Sequence, residues 1–393
     1  MPLQHLTKHL LSDDYIFRSS KAFRRGFLWE VEKKYRGGEA CPKCGLISKA
    51  RSGICWVTIK DEPFRERPFY LRIKKHRYMC KSCRKPFTET APGVYPRRRT
   101  TQRFRRTLAE ACLNFVNLSR VRTKYKCSSA LVYQVFYEQL EIKLRERSNW
   151  QWPETLCIDE HFFSRAKGYT KFVTMFADLG KKRLFDMAIG KDKKSLDLQM
   201  SQIPGRENVR FVVMDMSSTY RSFIKEFFPN AKIVADKFHV LRLLSPAIIR
   251  HRKNIHGHKQ ELYLRRRLLM NRKNLDYHIR CDLDRYLQNH PHLQELYRYK
   301  ERLHELYRIK GFDRAAIAFQ KLIEQMNQSQ LPEIIRLKKT LKTWAQEILN
   351  YFKTGFTNGL VEALNNTGKL VQKQAYGYKS FRNYRLRTLS ACF

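Results

Sequence analysis

The stretch RFVVMDMSSTY, residues 210–220, decides how the larger part of this chain folds. Its apolar run FVVM is typical of a buried β-strand, and Asp215 follows that run directly. A second stretch, TLCIDEHFF at residues 155–163, has an apolar run that ends in Asp159 in the same way. One such carboxylate is usually a turn residue or a helix N-cap. Two of them indicate a carboxylate cluster at the edge of a sheet.

The segments around these two stretches alternate between strand and helix patterns. Pro153 breaks the preceding helical pattern and marks a domain boundary. The predicted strands are 155–163, 172–178, 184–189, 210–215 and 231–235, and the predicted helices are 195–203 and 217–228. Three meandering strands followed by helix, strand, helix, strand is the order of a ribonuclease-H-like α/β domain. In that order the first and fourth strands are neighbours, so Asp159 and Asp215 would lie side by side.

Two adjacent carboxylates repel each other and stay ionised only with cations nearby. Two divalent ions roughly 3.5–4 Å apart would serve this purpose in phosphoryl transfer, and oxygen ligands favour Mg²⁺ or Mn²⁺. Such a site normally needs a third carboxylate. Glu362, in the first turn of a helix predicted from about Leu360, is the candidate. Alternatively, Glu362 is only a favourable charge near a helix N-terminus.

Four other polar residues lie close to these positions in the sequence. Glu160 follows Asp159 but should point to the opposite face of its strand. Asp178 ends the second strand, as a turn residue or a support for the site. Asp236 and His239 either orient a metal ligand or a scissile phosphate, or they cap and pack the next helix.

The composition indicates a folded protein with a polyanionic partner. The chain has 393 residues, enough for two or three domains, and a net charge of +43. Nucleic acid is the commonest partner for such a charge, the alternatives being a membrane surface or the ribosome. The sequence contains no apolar run of eighteen residues and no secretory signal pattern at its start, so we expect no membrane association and a reducing cytoplasm.

Cysteine spacing predicts a zinc site near the N-terminus. Two CxxC pairs would each form a knuckle, and together they would close one tetrahedral site. The pairs are Cys41 with Cys44 and Cys80 with Cys83. Strand-like runs at 54–59 and 69–73 between them would form the hairpin of a zinc ribbon. All four positions are filled, so the zinc would be structural; the alternative is free thiols or one redox pair.

A basic arm and a pair of helices follow the predicted ribbon. The arm YPRRRTTQRFRR, residues 95–106, has six arginines suited to phosphate contacts: Arg97, Arg98, Arg99, Arg103, Arg105 and Arg106. Helical periods predict a helix at 101–115, a short helix at 118–125, and a third helix capped by Ser128 or Ser129 and running to Leu140. The last two form a helix-turn-helix pattern, in which Ser128, Ser129 and Tyr133 would enter a DNA groove. An ordinary helical hairpin is the alternative.

Three stretches resemble one family of proteins. They are DMSSTYRSF around Asp215, ADKFHVLRLL around His239, and TNGLVEALNNTGKLVQKQAYGYKSFRNYRLR around Glu362. They look like transposases of bacterial insertion sequences of the group called ISL-three. The resemblance covers about residues 35–393, and its C-terminal block is the most specific part. Ala363 is a mild departure, since the family often has glycine there.

The resemblance implies a function and its residues. The family's DDE triad falls on Asp159, Asp215 and Glu362. It implies a helical insertion between the last strand and the glutamate, with helices such as 296–306 and 334–352. The protein would bind the inverted repeats of its element, cut a strand with two Mg²⁺ or Mn²⁺ ions, and join the freed 3′-hydroxyl to target DNA as a dimer or higher assembly. The basic stretches 248–259 and 263–273 of the insertion would also bind DNA.

The complete prediction is a five-part chain in the bacterial cytoplasm, associated with the nucleoid. The parts are a zinc ribbon at 1–95, a helix-turn-helix at 96–150, a ribonuclease-H-like core at 151–236, a helical insertion at 237–356, and a final core helix at 357–393. One rival is a zinc-ribbon regulator or a decayed transposase without catalysis, although the intact triad argues against decay. A second rival is a nuclease of the same fold, which would cut without joining.

Overall fold

The computed structural model describes residues 13–114, 117–145, 150–166, 169–256 and 262–392. The chain divides into two compact units, Met1–Glu146 and Arg147–Phe393, called unit 1 and unit 2 below. Residues 257–259 of the basic stretch 248–259 lie outside the described residues. None of the described helices is long and apolar enough to cross a membrane.

Unit 1 is built on a sheet that is larger than a minimal zinc ribbon. Its strands are β1 (Tyr15–Phe23), β2 (Gly26–Lys33), β3 (Glu39–Ala40), β4 (Ile47–Ser48), β5 (Arg51–Phe64), β6 (Arg67–Met79) and β7 (Pro86–Thr88). The predicted hairpin is confirmed, because β5 pairs antiparallel with β6. The hairpin β1–β2 joins the same sheet in the order β1-β2-β6-β5, with β2 parallel to β6. Strands β3 and β4 form a separate two-stranded sheet.

The core of this sheet combines residues from all four long strands. Tyr15 and Val31 from β1 and β2 pack with Ile59, Phe69 and Ile73 from β5 and β6. The sequence analysis did not predict the first two strands. In β1 most side chains between Tyr15 and Phe23 are exposed, so a strong apolar alternation is missing there.

Three helices follow the sheet: α1 (Gln102–Asn114), α2 (Leu118–Tyr125) and α3 (Ser129–Arg145). Ser128 Oγ accepts a hydrogen bond from the N–H of Leu131 at the start of α3. The turn between α2 and α3 needs no glycine, since Lys126 adopts the left-handed conformation with φ of 48°. Predicted and observed helices agree, except that α3 runs to Arg145 rather than to Leu140.

The helices and the sheet of unit 1 pack together. Lys60 Nζ on β5 donates to the carbonyl oxygens of Tyr125 and Lys126, at 2.6 and 2.8 Å. Asp61, which is fully buried, accepts hydrogen bonds from Thr101 and Arg103 at the start of α1. The predicted segment 1–95 and residues 96–146 of the predicted segment 96–150 therefore belong to one compact unit, and residues 147–150 belong to unit 2.

Unit 2 contains the sheet that the opening stretches predicted. Its strands are β8 (Thr155–Ala166), β9 (Tyr169–Asp178), β10 (Arg183–Ile189), β11 (Phe211–Met214) and β12 (Lys232–Ala235). The order is β10-β9-β8-β11-β12. Neighbours β8–β9 and β9–β10 are antiparallel, whereas β8–β11 and β11–β12 are parallel. The first and fourth strands are neighbours, as the sequence predicts.

Twelve helices of unit 2 are described. They are α4 (Lys193–Met200), α5 (Ser218–Phe227), α6 (Lys237–Leu241), α7 (Ser245–His256), α8 (Leu262–Leu269), α9 (Tyr277–Gln288), α10 (Pro291–Leu306), α11 (Phe312–Gln325), α12 (Pro332–Thr343), α13 (Ala345–Thr354), α14 (Gly359–Gln374) and α15 (Phe381–Ala391). The single helix predicted at 334–352 is wrong, because Trp344 breaks it into α12 and α13. Trp344 is buried, and the guanidinium of Arg221 lies 4.6 Å from its ring.

Helices cover both faces of this sheet, and alternate residues of β8 point to opposite faces. Ile158 and Leu156 belong to the large core that includes Phe223 of α5. On the other face, Asp159 hydrogen-bonds to α14 through Asn365. The part of β8 around Asp159 therefore lies between two helix layers, which is where the candidate site is found.

Candidate active site and zinc centre

The pairing of β8 and β11 brings Asp159 next to Asp215. In the parallel register Val213 lies opposite Cys157, and each aspartate comes two residues later in its strand direction. Two neighbouring strands therefore bring Asp159, which lies within β8, and Asp215, which directly follows β11, to one point.

Burial and mutual repulsion make both aspartates costly to ionise. Burial raises the pKa of Asp159, although the N–H of Glu160 and the amide of Asn365 act in the opposite direction. Burial also raises the pKa of Asp215; the positive charge of His239 opposes this, and the charges of Glu160 and Asp159 add to it. Asp215 Oδ1 is buried and has no hydrogen-bond partner among the described residues. A divalent cation would supply the missing partner and the missing positive charge, so these residues fit a metal site.

Helix α14 carries Glu362 on the helix face that contacts β8. Asn358 Nδ2 at the start of α14 donates to the carbonyl oxygen of Ile158 at 3.3 Å. Asn365 Nδ2 donates to Asp159 Oδ2 at 2.6 Å. Glu362 stands four residues after Asn358 and three before Asn365, so it shares their helix face, and its side chain is half-buried. This spacing was readable in the sequence, but the sequence analysis did not single out either asparagine.

The three carboxylates are not tightly clustered. Within the part of the chain that the structure describes, only the four predicted zinc cysteines form a group of three or more potential ligands with all ligand atoms within 4.8 Å of one another. A wider spacing is compatible with carboxylates that hold cations between them, since two ions roughly 3.5–4 Å apart need room.

Glu160 and Asp178 have other partners. Glu160 Oε2 accepts a hydrogen bond from Tyr220 Oη of α5 at 2.7 Å, so Glu160 points to the face opposite Asp159 as predicted. Asp178 lies opposite Leu156 in the sheet and accepts from the N–H of Lys181 at 3.0 Å. It is therefore a turn residue at the far end of the strand.

Asp236 joins two elements beside the aspartates. Its Oδ2 accepts hydrogen bonds from the N–H and Nδ1 of His239 at 3.2 and 2.9 Å, which caps α6. Its Oδ1 accepts from the N–H of Asn358 at 3.0 Å, which anchors the start of α14. The Asp236 hydrogen bond raises the pKa of His239, which burial opposes, and the charges of Asp215 and Asp159 raise it further. The raised pKa favours the protonated form of His239, which lies near both aspartates.

The predicted zinc cysteines come together as two opposed pairs. Cys41 Sγ lies 3.6 Å from Cys83 Sγ, and Cys44 Sγ lies 3.5 Å from Cys80 Sγ. The N–H groups of Cys44 and Lys43 lower the pKa of Cys41 to about 6. Four sulfur atoms at these distances match the tetrahedral ligand set of a structural zinc ion.

Two family models match the chain over these regions. A model for the zinc-finger of the transposases of IS204, IS1001, IS1096 and IS1165 matches residues 38–83. A model of ISL3-type DDE transposases, described as a transposase, matches residues 156–388, more than half of the chain. The chain belongs to this transposase family. The first match contains all four cysteines, which supports a structural zinc ion in a zinc ribbon, and the second contains Asp159, Asp215 and Glu362.

Two curated proteins are similar to this transposase. The transposase for insertion sequence element IS1001 of Bordetella parapertussis is 26% identical over 365 residues, which cover 89% of this chain and 88% of that protein. A protein of Lactococcus lactis subsp. lactis named ATP-dependent protease is 31% identical over 120 residues, which cover 30% of this chain and 37% of that protein. The second match is too short to carry a function over.

The basic arm of the transposase is only partly exposed. Arg97, Arg98, Arg99 and Arg106 are exposed, as are Ser128, Ser129 and Tyr133 near the start of α3. Arg103 is half-buried in its ion pair with Asp61. Arg105 is 1% exposed and pairs with Glu138 of α3, so its predicted phosphate contact is corrected to an internal ion pair. The sequence pattern could not separate Arg105 from its neighbours, since burial depends on how α1 packs against α3.

Proposed function

We propose that the transposase cuts DNA at the ends of its insertion sequence and joins the freed ends to target DNA. The observation that carries this proposal is the adjacency of Asp159 and Asp215, two half-buried carboxylates with raised pKa values; a buried oxygen of Asp215 has no hydrogen-bond partner among the described residues. The sheet order supports a ribonuclease-H-like fold for this part of unit 2. The similarity to the transposase for insertion sequence element IS1001 supports the proposal.

Asp159, Asp215 and Glu362 are the residues that would hold two Mg²⁺ or Mn²⁺ ions. When bound, such ions neutralise charge on a phosphate and favour ionisation of an attacking hydroxyl group. The chain itself contributes position: Asn365 fixes one oxygen of Asp159, and Asp236 fixes the start of the helix that carries Glu362. His239, whose pKa is raised, would present its positive charge to the scissile phosphate. Water would attack a phosphodiester at the element's end in line, which frees a 3′-hydroxyl group. That hydroxyl group would then attack a phosphodiester of the target DNA in the same way, with no covalent protein intermediate.

Unit 1 would recognise the inverted repeats. The exposed arginines Arg97, Arg98, Arg99 and Arg106 suit contacts to phosphates, and Arg103 could add a further contact from its half-buried position. Helices α2 and α3, with the turn at Lys126, would act as a helix-turn-helix. In that arrangement Ser128, Ser129 and Tyr133 at the start of α3 would meet base edges in the major groove.

The helices between β12 and α14 would act as an insertion that binds further DNA. Helix α8 has the sequence LYLRRRLL, and Arg265 and Arg266 line a depression of about 410 Å³ with Leu269 and Met270. With a net charge of +43 in the whole chain, binding should be strongly salt-dependent. We further propose that the protein works as a homodimer or higher assembly on DNA, associated with the nucleoid in the cytoplasm.

A strand-transfer assay tests this proposal. Purified protein is mixed with labelled duplexes that carry the element's ends, a plasmid target and Mg²⁺, beside the Glu362→Gln variant. Joined products from the wild type alone are expected. Binding without nicking or joining by either protein would favour a regulator, and cutting without joining would favour a nuclease.

A further inference from the structure

A continuous line of hydrogen bonds runs from Asp159 to the last helix of the protein. Asn365 Nδ2 donates to Asp159 Oδ2 at 2.6 Å. Asn365 Oδ1 lies 3.0 Å from His161 Nδ1, and His161 Nε2 lies 2.7 Å from Tyr384 Oη. These residues come from β8, α14 and α15, so three separate elements meet in one line.

With Asp159 ionised and His161 neutral, each group in this line has a single role; burial lowers the pKa of His161 and so favours the neutral ring. The carboxylate of Asp159 can only accept, so the Asn365 amide must turn its NH₂ toward it and its oxygen toward His161. His161 must then donate from Nδ1, which leaves Nε2 to accept from the hydroxyl group of Tyr384. The orientation of every polar group therefore follows from the charge at the Asp159 end.

The residues of this line are buried, and the side chain of Tyr384 closely approaches helix α14. Asn365, His161 and Tyr384 are 3%, 3% and 0% exposed. Gly368 stands one turn after Asn365 on α14, and a Cβ atom there would lie 2.8 Å from Tyr384 Oη. Only glycine lets the hydroxyl group of Tyr384 reach this depth without displacement. The fold thus places Tyr384 against His161 at the cost of a helix-interior glycine.

We infer that Asn365, His161 and Tyr384 are positioning residues for Asp159, and that α15 belongs to the working site. Asp159 Oδ1 accepts from the N–H of Glu160 at 2.8 Å, and Oδ2 accepts from Asn365. A carboxylate has about four acceptor positions. Two are filled by the protein, and the others keep a fixed direction for a cation. This inference rests on the proposed function, because it needs Asp159 to be a metal ligand.

A role in packing alone would give a different result from a positioning role. Loss of packing lowers stability and every activity together. Loss of positioning weakens cation binding and joining while the fold and end binding persist. Outer-shell partners of metal ligands are typically worth about 10- to 100-fold in metal affinity or activity.

The test uses the full chain and four variants. Tyr384→Phe removes one buried oxygen atom, and His161→Leu removes both hydrogen bonds of the imidazole ring. His161→Asn keeps a donor near the Nδ1 position, and Leu370→Ala on the exposed face of α14 is the matched control. Mn²⁺ binding is measured by electron paramagnetic resonance, with joining rate, end binding and thermal unfolding measured in parallel.

We expect Mn²⁺ binding and joining to fall about 10-fold in Tyr384→Phe and further in His161→Leu, with end binding unchanged. His161→Asn should recover part of the loss, and Leu370→Ala should match the wild type. Wild-type Mn²⁺ binding in Tyr384→Phe and His161→Leu would overturn the inference. The inference would also be overturned if Mn²⁺ binding and joining fell only in proportion to thermal stability and His161→Asn recovered neither. If His161→Leu does not fold, Tyr384→Phe decides.

An Asp159→Asn variant separates this inference from the proposed function. If Asp159→Asn retains Mn²⁺ binding and joining, the proposed site itself is wrong. If Asp159→Asn loses both while Tyr384→Phe and His161→Leu keep both, the site stands and only the positioning role is refuted.

Discussion

Asp215 concentrates the energetic problem of the site in one side chain. Its side chain is half-buried, faces two other negative charges and has one buried oxygen without a partner among the described residues. Such a group lowers the stability of the protein when no cation is bound, because burial and repulsion both oppose its ionisation. The negative charge that Asp215 would need to bind a cation therefore lowers the stability of the metal-free protein.

The variant Asp215→Asn tests this conflict. We expect DNA binding to persist, because Asp215 belongs to the proposed catalytic group rather than to the exposed arginines. Cleavage should fall by at least about 100-fold, since a neutral amide is a poor ligand for Mg²⁺. The melting temperature in metal-free buffer should stay the same or rise, since one repelling charge is gone. Cleavage at the wild-type rate would refute the assignment of Asp215.

His239 gives the site a pH dependence of known sign. Its pKa is raised above 6.5 in the folded protein by Asp236 and the nearby aspartates. Its contribution to stability is thus fully present below the unfolded-state pKa and is lost as pH rises through the folded-state pKa. In metal-free buffer, His239→Gln should be less stable than the wild type at about pH 5 and should converge with it at about pH 9. Thermal unfolding across this range checks the difference, and parallel curves would contradict it.

At the scale of elements, the basic arm at residues 95–106, which overlaps the start of α1, has arginines in two different surroundings. Arg99 is exposed, whereas Arg105 is turned into the helix layer against Glu138. Adjacent basic residues in one stretch therefore differ in their surroundings, and we propose DNA contact for the exposed one and internal packing for the buried one. The packing of α1 on α3 decides which residue does which.

Arg99→Ala should consequently change DNA binding, whereas Arg105→Ala should change the stability of the protein. Arg99→Ala should weaken binding to the element's ends. It should also reduce the slope of the logarithm of the binding constant against the logarithm of the salt concentration by about one, with stability unchanged. Arg105→Ala should lower the free energy of unfolding by about 2–3 kcal/mol, because it leaves a cavity and removes the ion pair with Glu138. Denaturant unfolding and salt-dependent binding assays on both variants measure this contrast. Equal stability of the two variants would show that Arg105 is not a packing residue.

At the scale of the whole molecule, the two units have separate hydrophobic cores. The core of unit 1 lies on the sheet β1-β2-β6-β5, and the large core of unit 2 joins the second sheet to its helices. The four cysteines belong to unit 1 alone. Loss of zinc should therefore affect one unit and spare the other.

Cys80→Ser checks this independence. Zinc content, measured by metal analysis, should fall to less than one ion per chain, and end binding should weaken because a structural zinc site contributes folding free energy. The unfolding transition of unit 2 should remain, and Cys55→Ser is the control since Cys55 lies outside the cluster. Unchanged zinc content in Cys80→Ser would remove the zinc ribbon from the description of this protein.

Local patterns in the sequence determined the strands that carry or precede Asp159 and Asp215, the two CxxC pairs and the turn before α3. Each depends on residues close together in the chain, where periodicity and spacing carry the information. The neighbouring position of the two aspartates also followed, because few strand orders satisfy the rules of connection.

Tertiary structure alone decided the rest. It placed β1 and β2 in the sheet of unit 1, buried Arg105, and broke the predicted helix at Trp344. It also brought His161 to Asn365 and Tyr384, which are 204 and 223 residues away in the sequence. Such contacts depend on which faces of distant elements pack together, and an amphipathic pattern shows that a face is buried without showing against what.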